Sequence, residues 1–403
     1  MIAPKIRFPE FHGEYVNDSL SEISDRVRRK NSDNQTDIPL TIASIEGLVD
    51  QRTYFGKTVA SKDMSGYYLL QNGEFAYNKS YSKGFPVGSI KRLDKYAQGA
   101  LSTLYICFAL KENADVTSDY LVQYFNSPAW YEAVNEVCAE GARNHGLLNV
   151  SPDDFFATTH HFAPTKEEQD KVATFLSLYD QKIENQMAKV EALETRRKGL
   201  LQQIFSQEIR FRADDGSEFP DWEPTPFGDV IEPFTIKTKT ENEDTLLSCA
   251  IEGMFLNSEL FDHQRGASNK GYLKIKLGTL ILSVQNLHLG NANVNLRFEH
   301  GIISPAYKTY NVTGCLPEFM GVWVKREAAK KFFFDATTTG ASQCRRNVDW
   351  DKLYSQEMEI PCEAEQRKIS AFVTLVDKQI QIEKDKLEAI KQVKKGLLQQ
   401  MFV

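Results

Sequence analysis

Side chains able to do chemistry occur throughout this sequence, but their spacing forms no familiar catalytic motif. Neither of the common glycine-rich phosphate-binding loops is present. The tetrapeptide Asn/Asp-Pro-Pro-Tyr/Phe, used by amino-methyltransferases, is missing as well. His160-His161 has no partner at metal-binding spacing, and Pro152-Asp153-Asp154 lacks the following lysine of a metal-dependent nuclease. We therefore predict a chain with no catalytic residue, metal or cofactor of its own.

Loop candidates in each half of the chain carry basic, amide, hydroxyl and aromatic side chains. These are the types that grip phosphates and read base edges, although solvated turns carry them too. The candidate DNA-binding residues are Lys79, Ser80, Tyr81, Lys83, Arg143, Asn144, Gln285, Asn286, Gln343, Arg345 and Arg346. With 48 basic and 55 acidic residues, the net charge is −7. Any contact with nucleic acid therefore requires a locally basic face or a partner that supplies phosphate contacts.

Composition narrows the class of protein. A length of 403 residues predicts two or more domains, and 41% hydrophobic with 26% charged residues is typical of a soluble globular protein. The first residues lack the apolar core of a signal peptide, and no apolar stretch approaches the roughly 20 residues of a membrane span. Six cysteines without a CxxC pair favour a reducing compartment, so we expect a cytoplasmic protein.

An internal repeat is the strongest signal in the sequence. Residues 164–205 align with residues 361–402 without a gap at an offset of 197, and 18 of the 42 positions are identical. Looser matches extend the repeat, since Ile6-Arg7-Phe8 recurs as Ile209-Arg210-Phe211 and Ile45-Glu46-Gly47 as Ile251-Glu252-Gly253. The chain therefore divides into variable blocks at 1–163 and 207–360, each followed by a matched segment, at 164–206 and 361–403.

Both matched segments predict long helices. Apolar residues recur at heptad positions from Val172 and from Ile369, with polar interruptions at equivalent sites. At about 1.5 Å per residue, each helix would be on the order of 57 Å long and must bury its apolar stripe. The simplest solution is that the two helices pair as an antiparallel coiled coil; the alternative is that each packs only on its own block. The interruptions at Gln186, Arg197, Glu383 and Lys394 favour the coiled coil, because polar residues there fix register.

The variable blocks have the pattern of mixed α/β domains. Residues 67–75 and 272–282 each indicate a strand, a turn and a second strand. Residues 119–139 and 318–333 indicate helices. The predicted fold class is therefore α+β: two mixed domains, two long helices that pair, and a pseudo-two-fold repeat.

Three features of the sequence are the duplicated Pro-x-x-x-Glu-Gln segments, the closing Lys-Gly-Leu-Leu-Gln-Gln blocks and the entry sequence Arg7-Phe8-Pro9-Glu10-Phe11. Together they resemble the specificity subunit of a type I restriction-modification system. The resemblance covers the whole chain and is most specific in the helices. It assigns partner docking and coiled-coil pairing to Glu168, Gln169, Phe175, Leu178, Asp180 and Ile183, with counterparts Glu365, Gln366, Phe372, Leu375, Asp377 and Ile380. The heptad pattern adds Leu193, Leu200, Ile390 and Leu397 to the pairing residues.

This resemblance implies a non-catalytic subunit in which each block is a target-recognition domain that reads half of a split, asymmetric DNA site. The helices would set the gap between the halves and would bind two methyltransferase subunits. S-adenosylmethionine would be bound by those subunits, not by this chain, and two ATP-dependent motor-nuclease subunits would complete the complex. No base-reading residue follows from the family motif.

Two other functions remain open at the level of sequence. The chain could be a coiled-coil scaffold whose globular blocks bind proteins instead of DNA. It could also be an independent enzyme with an unfamiliar active site, which the missing motifs disfavour. Salt-dependent binding to a bipartite DNA duplex, seen only with the methyltransferase present, would distinguish the leading hypothesis from the scaffold.

Overall fold

A computed structural model describes residues 3–57, 59–82, 84–138, 148–261, 268–339 and 346–403. The chain folds as two compact units. Unit 1 comprises residues 1–189 and 384–403, and unit 2 comprises residues 190–383. Each unit therefore contains one variable block together with parts of both long helices.

The elements of the first half are β1 Val16–Ser19, α1 Leu20–Ile23, β2 Ser24–Arg26, β3 Leu40–Ala43, β4 Gly47–Asp50, α2 Gln51–Phe55, β5 Tyr68–Gln71, β6 Phe75–Asn78, β7 Ser89–Arg92, β8 Gln98–Leu101, β9 Ile106–Leu110, α3 Ser118–Asn126, α4 Tyr131–Val137, α5 Pro152–Ala157, β10 Thr159–Phe162 and α6 Lys166–Phe205. Those of the second half are β11 Glu223–Pro226, β12 Ile231–Pro233, β13 Leu247–Cys249, β14 Met254–Leu256, α7 Asn257–Leu260, β15 Leu273–Lys276, β16 Thr279–Ser283, β17 Ala292–Val294, β18 His300–Ile303, β19 Tyr307–Val312, α8 Pro317–Trp323, α9 Glu327–Asp335, β20 Thr337–Thr339, β21 Arg346–Val348, α10 Trp350–Ser355, β22 Glu357–Ile360 and α11 Glu363–Gln400.

The two halves share one topology. The largest described sheet has strand order β2-β9-β6-β7 in the first half and β12-β19-β16-β17 in the second. Smaller antiparallel pairs match as well: β1-β10 with β11-β22, β3-β4 with β13-β14, and β5-β8 with β15-β18. The repeat seen weakly in the variable blocks is therefore a repeat of fold, although most side chains differ.

Packing between these sheets follows the same rule in both halves. A Cβ on Gly99 of β8 would lie 2.4 Å from Leu40 of β3, and a Cβ on Gly301 of β18 would lie 2.4 Å from Leu247 of β13. Both leucines are buried. Glycine at each site thus leaves the space that a leucine of the neighbouring strand pair fills.

The predicted strands are confirmed, but consecutive strands do not pair with each other as in a simple hairpin. β5 and β6 follow each other along the chain, yet β5 pairs with β8 and β6 with β7 and β9. The predicted helix 119–139 is divided into α3 and α4 around Pro128, which cannot donate the backbone hydrogen bond of a continuous helix. The predicted helix 318–333 is likewise divided into α8 and α9, and Trp323 packs edge-on against Phe332 across the break, at 5.0 Å between ring centroids.

Each long helix begins in one hydrophobic core and ends in the other. In unit 1 the core contains Val172 and Leu176 of α6 together with Leu398 of α11 and the adjoining Phe402. Unit 2 repeats this arrangement with Ile369 and Phe372 of α11 and with Ile204 and Phe205 of α6. The sequence suggested either pairing or packing on the helix's own block; the structure contains both, because each helix begins against its own block and the two helices pair in both units.

The helices pair antiparallel, as the heptad pattern predicted. In unit 1, Lys394 of α11 donates to Asp180 of α6. In unit 2, Arg197 of α6 donates to Asp377 of α11, with 3.0 Å between Nη2 and Oδ2. The offset of 197 relates these pairs to each other, so both aspartates and both cations occupy repeated positions. Arg197 and Lys394, two of the four predicted polar interruptions, therefore make equivalent ion pairs between the helices, as expected for polar residues that fix the register of a coiled coil.

Candidate nucleic-acid interface

The predicted base-reading loops of the two halves lie at the same place in the fold. Lys79, Ser80 and Tyr81 directly follow β6, whereas Gln285 and Asn286 follow β16, the counterpart of β6. Both segments connect a central strand to the edge strand, β7 or β17. The structure thus brings the two sequence-predicted loops to equivalent edges of equivalent sheets.

Hydrogen bonds to backbone groups shape the first loop, and side chains of both loops are exposed. The Ser80 N–H donates to Asn78 Oδ1 at 3.0 Å, and the Lys79 carbonyl accepts from the Leu148 N–H at 3.0 Å. Lys79 Nζ donates to the Val150 carbonyl at 3.2 Å, so this lysine is partly committed. The side chain of Tyr81 is about half exposed. Gln285 and Asn286 are exposed residues, so their amides are accessible to a ligand.

The side chain of Arg346 makes its described contacts within its own unit. Its Nε donates to Thr337 Oγ1 at 2.7 Å and its Nη2 to the Thr337 carbonyl at 2.8 Å. The guanidinium also lies 4.1 Å from the ring centroid of Phe334. These contacts hold β21 against β20, so this arginine has a structural role. The remaining predicted loop residues lie outside the described residues: Lys83, Arg143, Asn144, Gln343 and Arg345.

The duplicated glutamates anchor the entry segments. Arg7 donates two 2.7 Å hydrogen bonds to Glu168, one to each carboxylate oxygen. Arg210 forms the equivalent pair with Glu365, at 3.2 and 2.7 Å, and Trp222 Nε1 donates to Glu365 Oε2 at 3.0 Å. Both carboxylates are almost fully buried. They therefore position the chain ahead of each block, and the two arginines are structural anchors that the sequence did not predict.

The duplicated glutamines hold the variable blocks through backbone atoms. Gln169 Oε1 accepts from the Thr117 N–H at 2.8 Å, and its Nε2 donates to the carbonyls of Asp115 and Ala163. Gln366 Oε1 accepts from the Leu316 N–H at 2.7 Å. Thr117 and Leu316 precede the first residues of α3 and α8. These buried amides thus fix equivalent helix starts and do not face solvent.

Replacing Gln169 with alanine is expected to lower the free energy of unfolding of unit 1 by about 1–3 kcal/mol, because buried backbone groups lose their partners. Thermal unfolding of the full chain measures this effect. Gln181→Ala, on the exposed face of the same helix, is the matched control and should leave the melting temperature unchanged. Unchanged stability of the Gln169 variant together with lost partner binding would contradict this structural role.

The other predicted helix residues separate into three environments. Phe175 packs on Phe8 at 5.6 Å between ring centroids, and Phe372 packs on Phe211 at 5.7 Å. Asp180 and Asp377 make the register ion pairs. The remaining six residues lie along the apolar stripes of the helices and are buried or half-buried: Ile183, Leu193, Leu200, Ile380, Ile390 and Leu397.

Leu178 and Leu375 are the exception. These two leucines occupy the same position of the repeat, and they are 48% and 67% exposed. They are therefore available to a partner.

His160 belongs to the hydrophobic core. Its ring nitrogens lie 2.9 Å from Tyr124 Oη and 2.8 Å from Thr158 Oγ1. Burial lowers its pKa to about 3, so the imidazole is neutral at physiological pH. Within the described residues, no group of three or more histidine, cysteine, aspartate or glutamate side chains could hold a metal ion. A search of the same residues found no helix long and apolar enough to cross a membrane.

Comparison with known proteins gives a consistent assignment of fold. No protein-family model matches the sequence. A chain from a solved assembly of the type I R-M system, described in terms of complex assembly and conformational transition, matches with a TM-score of 0.58 and 14% identity, covering 96% of this chain and 97% of that one. The crystal structure of the type I restriction-modification system S subunit from M. genitalium matches with a TM-score of 0.52 and 13% identity, covering 100% and 99%. This protein therefore has the fold of a type I restriction-modification S subunit.

Proposed function

We propose that this chain is the DNA-sequence-recognition subunit of a type I restriction-modification system. Each unit reads one half of a bipartite, asymmetric site, and the paired helices set the number of unread base pairs between the halves. The chain itself performs no catalysis. The fold shared with the M. genitalium S subunit along nearly the whole of both chains supports this assignment.

The observation that carries the proposal is the combination of identical topology with different loops. The β6–β7 connection contains Lys79, Ser80 and Tyr81, while the β16–β17 connection contains Gln285 and Asn286. Hydrogen-bonding side chains of different type at equivalent positions are what two readers of different half-sites require. Two half-site interactions on one chain then combine through a high effective concentration.

Two methyltransferase subunits dock on the helix pair. Leu178 and Leu375 support this part of the proposal, because an exposed leucine at both repeated positions offers the same apolar contact twice. Two copies of one partner require such repeated surfaces. Those partners bind S-adenosylmethionine and methylate adenine, and two ATP-dependent motor-nuclease subunits join the complex to cleave unmodified DNA.

Exchange of the second variable block is expected to change one half of the methylated motif and to leave the other half unchanged. The exchange should span residues 223–360, from the start of β11 to the end of β22. This range retains Arg210, Trp222 and Glu365, so the anchor of unit 2 stays intact. Mapping methylated adenines in genomes that carry the original gene, the exchanged gene or no gene measures the outcome.

The controls separate the proposal from a protein-binding scaffold. A genome without the gene should lose a bipartite methylated motif, and a chain with its own block reintroduced should restore it. A folded exchange variant that gives the original motif would overturn the assignment of one half-site to each unit. If deletion of the gene leaves adenine methylation unaltered, the scaffold function is favoured.

A further inference from the structure

A cavity of about 520 Å³ lies between the end of α6 and the turn from α8 to α9. Its walls include four cationic side chains: Arg197, Lys198, Lys325 and Arg326. We call these four residues basic corner 2, since all of them belong to unit 2. Glu327 also lines the cavity, and Arg197 is already paired with Asp377, so Lys198, Lys325 and Arg326 supply the remaining positive charge. Such local positive charge contrasts with the net charge of −7 of the chain.

Two of these cations are substantially buried without an ion pair. Lys325 Nζ donates to the Ile251 carbonyl at 2.6 Å and to Asn293 Oδ1, and burial lowers its pKa to about 8 despite the nearby charge of Glu252. The Arg326 guanidinium lies 3.8 Å from the ring centroid of Phe205, and burial lowers its pKa to about 10. Over the described ranges of the chain, neither cation has a carboxylate oxygen within 4.0 Å. An anionic ligand would offset the cost of burying these charges.

Unit 1 has a counterpart, basic corner 1, defined by Lys91, Lys394 and Lys395. Lys395 is the repeat of Lys198, and both lysines are exposed. Lys91 Nζ donates to Asn126 Oδ1 at 2.6 Å. Its pKa is lowered to about 8, mainly by burial and further by the charge of Lys394.

A hydrogen bond between a lysine and an asparagine side chain occurs in both units, but the lysine and the asparagine have exchanged places in the fold. In the sheet of unit 1, Ala76 pairs with both Lys91 and Cys107; in unit 2, Ile281 pairs with both Asn293 and Thr309. Ala76 and Ile281 each follow a glycine of positive φ by three residues, Gly73 and Gly278, so Lys91 and Asn293 occupy equivalent sites. The lysine lies on the edge strand in unit 1, whereas in unit 2 it follows α8, where Asn126 ends α3 in unit 1. A cation in the corner has thus been retained while its position in the sequence changed.

The corners are continuous with the candidate base-reading loops. Lys91 is the third residue of β7, and Asn293 is the second residue of β17. These strands begin where the loops that contain Lys79–Tyr81 and Gln285–Asn286 end. Lys91 lies opposite Ala76, three residues before Lys79, and Asn293 lies opposite Ile281, four residues before Gln285. At about 3.4 Å per residue, each corner is therefore roughly 10–14 Å from its loop, so a ligand as large as a DNA duplex can contact both.

We propose that each basic corner binds a backbone phosphate of duplex DNA, basic corner 2 through Lys198, Lys325 and Arg326 and basic corner 1 through Lys91 and Lys395. This inference rests on the proposed function of the chain. The corners hold the duplex against each unit without reading its sequence, which leaves specificity to the loops. They also provide the locally basic surface that a chain of negative net charge needs to contact DNA, because a few local cations suffice for phosphate contacts.

The test uses the exposed lysines Lys198 and Lys395, whose replacement by alanine leaves the buried contacts of each corner intact. The full chain, assembled with its methyltransferase subunits, is titrated with a duplex that spans the mapped motif and with a duplex of unrelated sequence, over a series of salt concentrations. Each substitution should weaken binding about fivefold at physiological salt and lower the slope of log K against log salt by about 0.9. The double variant should lose about 25-fold, because the two sites act independently.

Three comparisons make the result decisive. Lys378→Ala, an exposed lysine of α11 outside the corner, should bind as the unaltered chain does, and Lys198→Arg should restore most of the affinity lost in Lys198→Ala. The losses should be equal on both duplexes, with the methylated motif unchanged. Unaltered affinity and salt slope in the double variant would overturn the proposal, as would lost methyltransferase assembly with normal DNA binding. An original chain without preference for the mapped duplex would instead refute the proposed function.

Discussion

Replacing Arg210 with methionine is expected to lower the free energy of unfolding of unit 2 by about 3–5 kcal/mol, because the Glu365 carboxylate would remain buried without its cationic partner. Trp222 would still donate one hydrogen bond to Glu365, but a single neutral donor does not replace a bidentate guanidinium. Denaturant unfolding followed by tryptophan fluorescence is the measurement. Three of the four tryptophans, Trp222, Trp323 and Trp350, belong to unit 2, so the signal reports chiefly on that unit.

Arg212→Met provides the matched control for this result. Arg212 pairs with Glu218 at 3.0 Å, but their side chains are 64% and 80% exposed. A pair in water contributes about 0–1 kcal/mol, so this variant should unfold close to the unaltered chain. Arg7→Met should repeat the large loss in unit 1, where Glu168 is the stranded carboxylate. Equal, small effects of all three substitutions would mean that the buried pairs do not anchor the entry segments.

Lengthening both helices by one heptad is expected to widen the gap in the recognised DNA sequence by about three base pairs. Seven residues add about 10 Å at 1.5 Å per residue, and one base pair spans about 3.4 Å. The matched insertion points follow Met187 in α6 and Lys384 in α11, since the offset of 197 relates them. Whole heptads keep the apolar stripes in phase, so both aspartate–cation pairs can form. Mapping of methylated adenines in cells that carry the lengthened gene gives the new gap.

A single insertion, made only after Met187, is the control for this experiment. It would displace the two register ion pairs relative to each other, so that the helices could not satisfy Asp180–Lys394 and Asp377–Arg197 together. We expect loss of methylation from this variant, not an altered motif. A folded double-insertion variant that methylates the original motif would show that the helix pair does not set the gap.

The sequence was sufficient to predict those parts of the fold that depend on short-range periodicity or on exact repetition. The heptads predicted α6 and α11 and their antiparallel pairing, and the interruptions at Arg197 and Lys394 indicated where register would be set. The sequence did not reveal that Phe205 and Phe402 complete the opposite cores, because an apolar residue at a helix end carries no information about its distant partner. The role of Arg7 was hidden for the same reason: its partner Glu168 lies 161 residues away.

The candidate site was only partly predictable. Loop composition selected Gln285 and Asn286, which the structure leaves exposed, but it also selected Arg346, whose guanidinium is committed to Thr337 and Phe334. The sequence did not predict the basic corners, because their residues lie on separate helices, strands and loops. Lys325 and Lys198 are far apart in sequence, and only the fold places them around one cavity.

The duplicated glutamines carry an evolutionary consequence. Gln169 and Gln366 grip their blocks through main-chain N–H and C=O groups. Nearly every amino acid supplies those groups, so these hydrogen bonds hardly depend on which residues the block contains at these positions. Under the proposed function, recombination between relatives would therefore replace one block and change the recognised half-site in one genetic event, without compensating mutations at these attachment points.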